Sequence, residues 1–324
     1  MSRGLGTTPA LRATPPHCKA HAKKAGKFDP SKTQRYRCLH CKKSFSDAGP
    51  LDDMRIPVEK ATQILNLLVE GVGINAASRI ASVNKRTVFS VLALVGERCE
   101  KLMDEKLRNL PLVDIQCDEI RTFVGKKEAR VTASDNAALV GDQYTFVSID
   151  RDSKLVINYA VGKRTAPVTQ HFTVDLADRL TDRPQISTDS FGAYKLAIRK
   201  AFDGHVDDGQ VVKIYEKGVH GAHREGPPKV EKTIRTTMTG EPRKDEICTS
   251  HVERSILSMR TFMQRLARLC LGFSKKVENL KYAVALYFAW YNFVPVHSTL
   301  KTTPVVAAGI TGMTWTLAEL LRAA

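Results

Sequence analysis

The sequence predicts a mixed α/β protein in which a small metal-binding module and a helical domain precede a larger core. Two observations support this prediction. The chain has 324 residues, of which 43% are hydrophobic, and this is enough for about two domains with real cores. The pattern also changes along the chain, from helical periodicity over 55–108 to β-branched runs over 111–161. Helices then alternate with a strand over 163–202.

These changes of pattern divide the chain into segments. We expect a disordered arm, a zinc-binding module, a helical domain and an α/β core, in that order: 1–16, 17–50, 51–110 and 111–324. Within the core, 203–250 is polar and rich in Gly, Pro and His, so we expect a long loop or small insertion around one strand, Val211–Glu216.

The charge of the chain predicts a polyanionic partner. Fifty Lys and Arg residues oppose 34 Asp and Glu residues, which gives a net charge of +16. Residues 1–50 hold 11 basic and two acidic residues and therefore carry +9 of this excess. Nucleic acid or an acidic membrane surface would attract such a chain.

Compartment and membrane association follow from the apolar segments and the cysteines. The chain opens without an apolar leader and has seven cysteines, an odd number, so we expect a cytoplasmic, nucleoid-associated protein without a disulfide framework. The longest apolar stretch, Tyr282–Val296, includes Asn292 and Pro295 and falls short of the roughly 18 residues that a membrane span needs. We expect a buried, aromatic-rich helix there and no membrane partner.

Two pairs of metal-ligand residues lie near the start of the chain. Two residues separate Cys18 from His21 and Cys38 from Cys41, and 16 residues lie between the pairs. This spacing is typical of a zinc ribbon, with one thiolate replaced by imidazole. We expect these four residues to hold one structural Zn²⁺. Two other histidines are alternatives to His21: His17 and His40.

Three helices are predicted between residues 64 and 95. A short second helix, with Ile80 turned inward, is separated from the third by the turn 82–84. The third helix starts at Lys85 and carries apolar residues at helical spacing: Val88, Val91, Leu92 and Val95. This arrangement is typical of a helix-turn-helix, in which the start of the third helix enters the major groove of DNA. The candidate DNA-binding residues are Lys85, Arg86 and Thr87. A plain three-helix bundle is the alternative.

The order of elements in the core is that of a ribonuclease-H-like fold. Three strands, a helix, a strand, a helix and a strand are predicted from the apolar alternation. In that fold the first strand lies beside the fourth, in parallel. We predict that Asp118 ends the first strand and Asp189 the fourth, so that their carboxylates meet. A late helix that starts near Ser250 carries Glu253, and Arg260, seven residues on, shares its face and would contact DNA phosphate.

Three carboxylates of this kind can hold two divalent ions. Mg²⁺ and Mn²⁺ prefer hard oxygen ligands, and two such ions promote in-line phosphoryl displacement. However, an Asp at a strand end is more often a cap or turn residue, so spacing alone leaves the triad open.

Six stretches of the chain carry a family resemblance. They are Gln116–Lys127, Ser187–Tyr194, His251–Phe262, Gly272–Lys276, Trp290–Val294 and His297–Leu300. The first three look like the catalytic blocks of the insertion sequence one transposases, a DDE transposase family, and the others resemble its C-terminal tail. The resemblance covers about 18–310, and in that family too a zinc ribbon and a helix-turn-helix precede the core. The chain departs from the family pattern in the polar segment 203–250 and at Val294–His297.

The resemblance implies both a function and a set of catalytic residues. By position, it places the catalytic Asp, Asp and Glu on Asp118, Asp189 and Glu253. It implies a transposase that binds terminal inverted repeats, cuts at the element's ends and joins the 3′ ends to target DNA. A homo-oligomer, dimer or larger, is implied as well. Two alternatives stay open: a DNA-binding regulator on an inactive transposase fold, and a ribonuclease-H-like junction nuclease.

The zinc prediction can be tested by metal analysis. We expect about one zinc per chain in the purified protein, and we expect a Cys38→Ser/Cys41→Ser variant to lose it. Because metal binding and folding are linked in so small a module, chelation should unfold 17–46 and spare the core. An unchanged zinc content in the double variant would contradict the assignment.

Overall fold

The computed structural model describes residues 22–28, 33–42, 44–46, 51, 54, 56–215, 230–267 and 270–323. By packing, the chain divides into two compact units, Met1–Val58 and Glu59–Ala324. The domain boundaries expected from the sequence stay predictions.

A small antiparallel sheet forms the described part of the first unit. Its strands, in spatial order, are β1 (Ala22–Phe28), β2 (Thr33–Cys38) and β3 (Ser44–Ser46). After β2 the chain turns tightly, and the amide of Cys41 donates a hydrogen bond to the buried Sγ of Cys38 at 3.4 Å. Two of the predicted zinc ligands therefore share one turn. Cys18 and His21 lie outside the described residues, so the zinc site stays a prediction.

Three helices open the second unit: α1 (Val58–Val69), α2 (Ile74–Ile80) and α3 (Lys85–Lys106). The four apolar residues predicted to line the inner face of α3 are all buried. Asn84 caps this helix, because its Oδ1 accepts a hydrogen bond from the amide of Arg86 at 2.9 Å. The prediction that Ile80 turns inward is wrong: its side chain is 55% exposed. Helix α2 has only seven residues, and only Ala77 is fully buried.

A six-stranded mixed sheet forms the centre of the second unit. Its strands are β4 (Asp114–Val124), β5 (Gly141–Asp150), β6 (Val156–Gly162), β7 (Gln185–Thr188), β8 (Asp207–Tyr215) and β9 (Val230–Thr239). The spatial order is β6-β5-β4-β7-β8-β9. The predicted parallel pairing of the first and fourth core strands is confirmed, with Ile115 opposite Ile186. Strands β7 and β8 are also parallel, and the other neighbours are antiparallel. This sheet is compatible with a ribonuclease-H-like core.

Two sequence predictions about the sheet need correction. Asp118 does not end the first strand, because β4 continues to Val124 and stays paired with β5 as far as Gly141. Ile120 and Val124, on the same face of β4 as Asp118, are buried. The segment 203–250 contains a second long strand, β9, which pairs with β8. Eight of its ten residues are exposed, so it lacks the alternation by which a half-buried strand is recognised.

Helices cover both faces of the sheet. They are α4 (Ala166–Ala177), α5 (Gly192–Ala201), α6 (Ser250–Phe262), α7 (Val277–Phe293), α8 (Pro304–Ala307) and α9 (Leu317–Ala323). On one face, Phe146 of β5 contacts Phe172 of α4 and Tyr194 of α5. On the other, Tyr159 of β6 contacts Phe288 of α7. Helix α6 also lies on this second face, because its first amides bond to the side chain of Gln116.

Helix α3 is held against the core at two places. A Cβ atom at Gly96 would lie only 2.7 Å from the Cα of Tyr282, so glycine lets α3 and α7 approach closely. At the C-terminal end of α3, the buried guanidinium of Arg179 bonds to the carboxylate of Asp104 and to the carbonyls of Met103 and Leu107. The helical segment and the sheet are therefore packed as one body.

The apolar stretch near the C-terminus forms α7, as predicted, and most of its residues are buried. Among the helices that the structure describes, none combines the length and apolar content needed to cross a bilayer.

One buried carboxyl group in the sheet has no partner. Asp208, at the start of β8, is fully buried, and neither of its carboxyl oxygens has a hydrogen-bond partner among the described residues. Burial raises the pKa of Asp208 to about 7, against a small opposing effect of Lys195. The carboxyl group therefore keeps its proton in the folded chain at pH values where it has lost it in the unfolded chain.

This difference predicts a pH-dependent stability. Between about pH 4 and 7 the folded state binds one proton more, so stability falls as the pH rises. Asp208→Asn removes this penalty, and we expect its advantage over the parent to grow by roughly 3 kcal/mol from pH 5 to pH 8. Chemical denaturation at several pH values measures it. Asp207→Asn is the control, and it should lower stability. Asp207 forms an ion pair with Arg183 at 2.7 Å, and the loss of such a partly exposed pair should cost at most about 1 kcal/mol. An advantage of Asp208→Asn that does not change with pH would show that Asp208 is ionised in the folded chain.

Candidate catalytic and metal site

The sheet brings three carboxylates together. Asp118 lies two residues beyond Gln116, the last residue of β4 that pairs with β7, and Asp189 directly follows the last residue of β7. The third is Glu119. One carboxylate oxygen from each lies within 4.8 Å of the others, a separation that allows a shared metal ion. The convergence of Asp118 and Asp189 predicted from the sequence is therefore observed, although Asp118 lies in the middle of its strand.

The electrostatics of Asp118 reflect this crowding. Burial is the largest cause that raises its pKa to about 7, and the negative charges of Glu119, Asp189 and Glu253 add to it. The amide of Glu119 donates a hydrogen bond to Asp118 Oδ1 at 2.8 Å, which opposes the shift. Carboxylates held this close repel one another, and a divalent cation would relieve the repulsion.

The side chain of Glu119 is nearly buried, and both of its carboxylate oxygens accept hydrogen bonds. Its Oε1 accepts a hydrogen bond from Arg164 Nε at 2.5 Å, and its Oε2 accepts one from the Tyr194 hydroxyl at 3.1 Å. Burial and Asp189 raise the pKa of Glu119, while Arg164 lowers it. Because neighbouring residues of a strand point to opposite faces, Glu119 faces α5, whereas Asp118 faces α6.

Arg164 connects two members of the acidic cluster. Its guanidinium lies 3.7 Å from Asp189 Oδ2, in addition to its bond with Glu119. The same group lies over the ring of Phe191, 3.9 Å from the centroid. About a third of the Arg164 side chain is exposed (36%), so a positive group borders the acids at the protein surface.

Glu253 lies on the same face of the sheet as Asp118 but is not part of the close cluster. It sits in the first turn of α6, where its Oε1 accepts a hydrogen bond from the Thr249 hydroxyl at 2.5 Å. Lys213 of β8 forms an ion pair with the same carboxylate. The charge of Glu253 nevertheless contributes to the raised pKa of Asp118. Asp118 and Glu253 thus share one face, with Lys213 as the cation beside Glu253, and the joint role of the predicted triad stays a prediction.

Two side chains of the sheet fix the position of α6. Gln116 Oε1 accepts hydrogen bonds from the amides of His251 and Val252, at 2.9 and 3.2 Å. Ser187 Oγ accepts one from the amide of Cys248 at 3.3 Å. These bonds satisfy amides at the helix N-terminus and set the start of α6 above β4 and β7.

The predicted DNA-binding residues lie on two different helices. Lys85 and Arg86 are exposed at the start of α3, and Thr87 is half-buried. Arg260 lies on α6, seven residues after Glu253, as predicted, and is half-buried.

Sequence reasoning missed three residues of the site. Arg164 lies between β6 and α4, Tyr194 in α5 and Lys213 in β8, and no pattern linked them to the acids. The block Ser187–Tyr194 did contain Tyr194, but its hydroxyl contact depends on the packing of α5 on the sheet. A pair of adjacent basic residues before a helix, such as Lys163 and Arg164, is too common to identify a site.

Comparisons with known proteins found similar solved structures. No family model matches the chain, and no curated protein sequence matches it. The piggyBac transposase, in a synaptic complex with hairpin DNA, has 11% identity and a TM-score of 0.40, over 82% of this chain and 69% of that one. The Mos1 transposase, in a paired-end complex with a left transposon end, has 14% identity and a TM-score of 0.20, over 46% of this chain and 56% of that one.

Endonuclease V of Bacillus subtilis has 11% identity and a TM-score of 0.23, over 60% of this chain and 90% of that one. These three TM-scores lie below 0.5, so the function of the chain is inferred from its own residues.

Proposed function

We propose that the protein is a DDE-type DNA transposase, which cuts phosphodiester bonds at the ends of a DNA element and joins the freed 3′ ends to target DNA. The observation that carries the proposal is the convergence of Asp118 and Asp189 on adjacent parallel strands, under a helix that brings Glu253 to the same face. The sequence resemblance assigns the catalytic Asp, Asp and Glu to these three positions. The net charge of +16 suits a DNA substrate.

The acidic site fits hard divalent cations. Its donors are carboxylate oxygens, which Mg²⁺ and Mn²⁺ prefer. Burial first, and then the charges of Glu119, Asp189 and Glu253, raise the pKa of Asp118, and a bound cation would oppose both effects. We assign Asp118, Asp189 and Glu253 as the residues that would hold two such ions. When bound, these ions supply charge stabilisation for the attacking and leaving oxygens of an in-line phosphoryl transfer.

Glu253 and Glu119 compete for the third ligand position. Both oxygens of Glu119 already accept hydrogen bonds, from Arg164 and Tyr194, so it is better suited to hold Arg164 in place. Glu253 is paired with Lys213, a partner that a divalent ion could replace. We therefore favour Glu253, and Glu119 is the first alternative.

Positive side chains around the acids would receive the DNA. Arg164 borders the cluster on one side, and Arg260 follows Glu253 on α6. Both could bind non-bridging phosphate oxygens, since a guanidinium donates two parallel hydrogen bonds to phosphate. Such contacts would orient the backbone of the DNA and carry no sequence information.

Recognition of the element's ends is assigned to the N-terminal modules. The helix-turn-helix would place Lys85, Arg86 and Thr87 in the major groove, and the zinc ribbon with Cys18, His21, Cys38 and Cys41 would add a basic surface. A homo-oligomer, dimer or larger, would hold two ends together. These assignments rest on spacing, on resemblance and on the exposed start of α3.

One observation favours a second candidate function. The ion pair between Lys213 and Glu253 neutralises the third acid, as expected of a DNA-binding regulator that has lost catalysis. Cleavage by the parent protein would exclude the regulator. Cleavage without a joined product would instead favour a junction nuclease.

The catalytic proposal is tested by removing one charge at a time. Asp118→Asn, Asp189→Asn and Glu253→Gln should each reduce cleavage of a labelled terminal-repeat duplex by roughly a hundredfold or more, because each loses a ligand for transition-state charge. Binding of the duplex should persist, and activity should require Mg²⁺ or Mn²⁺. Asp182→Asn, an exposed Asp in the loop before β7, is the matched control.

Glu119→Gln decides between the two glutamates. If Glu253→Gln cuts at nearly the parent rate while Glu119→Gln fails, Glu119 is the third ligand. If all the single variants cut normally, the site is not catalytic.

The assignment of α3 to end recognition predicts a selective loss. Arg86→Gln should weaken binding of the terminal-repeat duplex about tenfold and affect random duplex less, because a residue at the start of a recognition helix reaches base edges. Lys106→Gln, at the exposed far end of the same helix, removes the same charge and should have little effect. Competition binding at fixed salt measures both. An equal loss on both duplexes would mean that Arg86 contacts only the backbone.

A further inference from the structure

A cavity of about 560 Å³ lies away from the acidic cluster. Its walls come from the end of α1, the turn before α2 and α2 itself, the start of α3, residues within 263–265 and 270–275 before α7, and α7 itself. Its volume falls within the range of roughly 300–1,000 Å³ that is usual for small-ligand sites. None of the proposed catalytic residues lines it.

Among the described residues, the charged side chains that line this cavity are all positive. They are Arg79, Lys85, Arg265 and Lys275. The side chain of Arg265 donates a hydrogen bond to Ser274 Oγ at 2.8 Å, and no carboxylate that the structure describes lies within 4 Å of it. Burial alone lowers the pKa of Arg265 to about 10. Arg265 is half-buried, and a guanidinium partly removed from water without a carboxylate partner favours an anion beside it.

Aromatic rings form part of the remaining wall, beside aliphatic side chains such as Leu68, Val72 and Leu286. Phe89, Phe273 and Tyr287 line the cavity, and Phe273 is held by the ring of Phe123, 4.6 Å away between centroids. Tyr287 is 2% exposed, and its hydroxyl has no hydrogen-bond partner among the described residues. An unpartnered buried hydroxyl indicates a polar ligand atom that it could bind.

Together these features select a ligand with two kinds of surface. The positive side chains favour an anion, and the aromatic rings favour a flat unsaturated group. The Tyr287 hydroxyl could bind a polar atom on the edge of that flat group. Inorganic phosphate alone would leave the rings unused, and an aliphatic acid would not stack on them. A base joined to a phosphate satisfies all three, because every base has a face that stacks on aromatic side chains.

We propose that this cavity binds a nucleoside phosphate, with the phosphate at Arg265 and Lys275 and the base against the aromatic wall. The ligand could be one unpaired nucleotide of a bound DNA or a free nucleotide, and both present the same chemistry. The inference is independent of the proposed catalysis, since it involves neither the acids nor a metal ion.

The test is binding of deoxyadenosine monophosphate to the full chain by calorimetry, without added divalent ions. We expect it to bind at least about tenfold more tightly than deoxyadenosine or inorganic phosphate, because each lacks half of the recognised surface. Equal binding of inorganic phosphate would overturn the role of the rings, and no binding would overturn the site. Catalysis can fail in either case without affecting this result.

A second arm distinguishes the two sources of the ligand. If the cavity takes a nucleotide of DNA, a duplex with one unpaired nucleotide should bind more tightly than the fully paired duplex, and deoxyadenosine monophosphate should reduce this preference. If the duplexes bind equally while the mononucleotide binds, the ligand is a free nucleotide.

Single substitutions test whether the ligand binds in this cavity. Lys275→Gln should weaken mononucleotide binding about fivefold or more, whereas its exposed neighbour Lys276, which does not line the cavity, should tolerate the same change. Tyr287→Phe should weaken the mononucleotide and leave inorganic phosphate unaffected. Arg265→Gln tests the proposed phosphate contact. If this variant fails to fold, Arg79→Gln, at an exposed position that also lines the cavity, replaces it in the test. Equal effects of Lys275→Gln and Lys276→Gln would overturn the assignment.

Discussion

The parallel pairing of β4 with β7 is the constraint on which the site depends. Parallel neighbours point their carboxyl ends the same way, so the residues after Gln116 and Ser187 are delivered to one edge of the sheet. The same two residues then use their side chains to bind the start of α6. One short pairing therefore positions Asp118 and Asp189 and also fixes the start of α6, the helix that carries Glu253.

Local pattern predicted much of this arrangement. The periodicity of α3 reflects burial on one face, which the sequence records directly. Strand β7 and much of α7 are instead buried on more than one face. Strand β9 was missed for the opposite reason: most of its side chains are exposed, so its position is set by backbone pairing with β8. Ile80 was misjudged because a helix as short as α2 has too few residues to define an inner face.

Which acid acts at each position could not be read from spacing alone. Asp118 and Glu119 are adjacent, and a strand sends adjacent residues to opposite faces, so only the packing of α5 and α6 separates their environments. Arg164, Tyr194 and Lys213 reach the acids from elements distant in sequence. Such contacts depend on register across the whole sheet. The resemblance assigns the catalytic positions to Asp118, Asp189 and Glu253, and this assignment stays a prediction. The contacts of Glu253 and Glu119 show how the surroundings of these two glutamates differ.

Because α3 is attached to the core, the distance between its start and the sheet is fixed. At 1.5 Å per residue, the 22 residues of α3 span about 33 Å. The close packing at Gly96 and the hydrogen bonds of Arg179 restrict rotation of the helix relative to the core. In the proposed transposase, the distance between the bases that α3 reads and the bond that is cut is then a fixed dimension of the protein. Cleavage would occur at a constant offset from the recognised sequence, whatever bases lie between them.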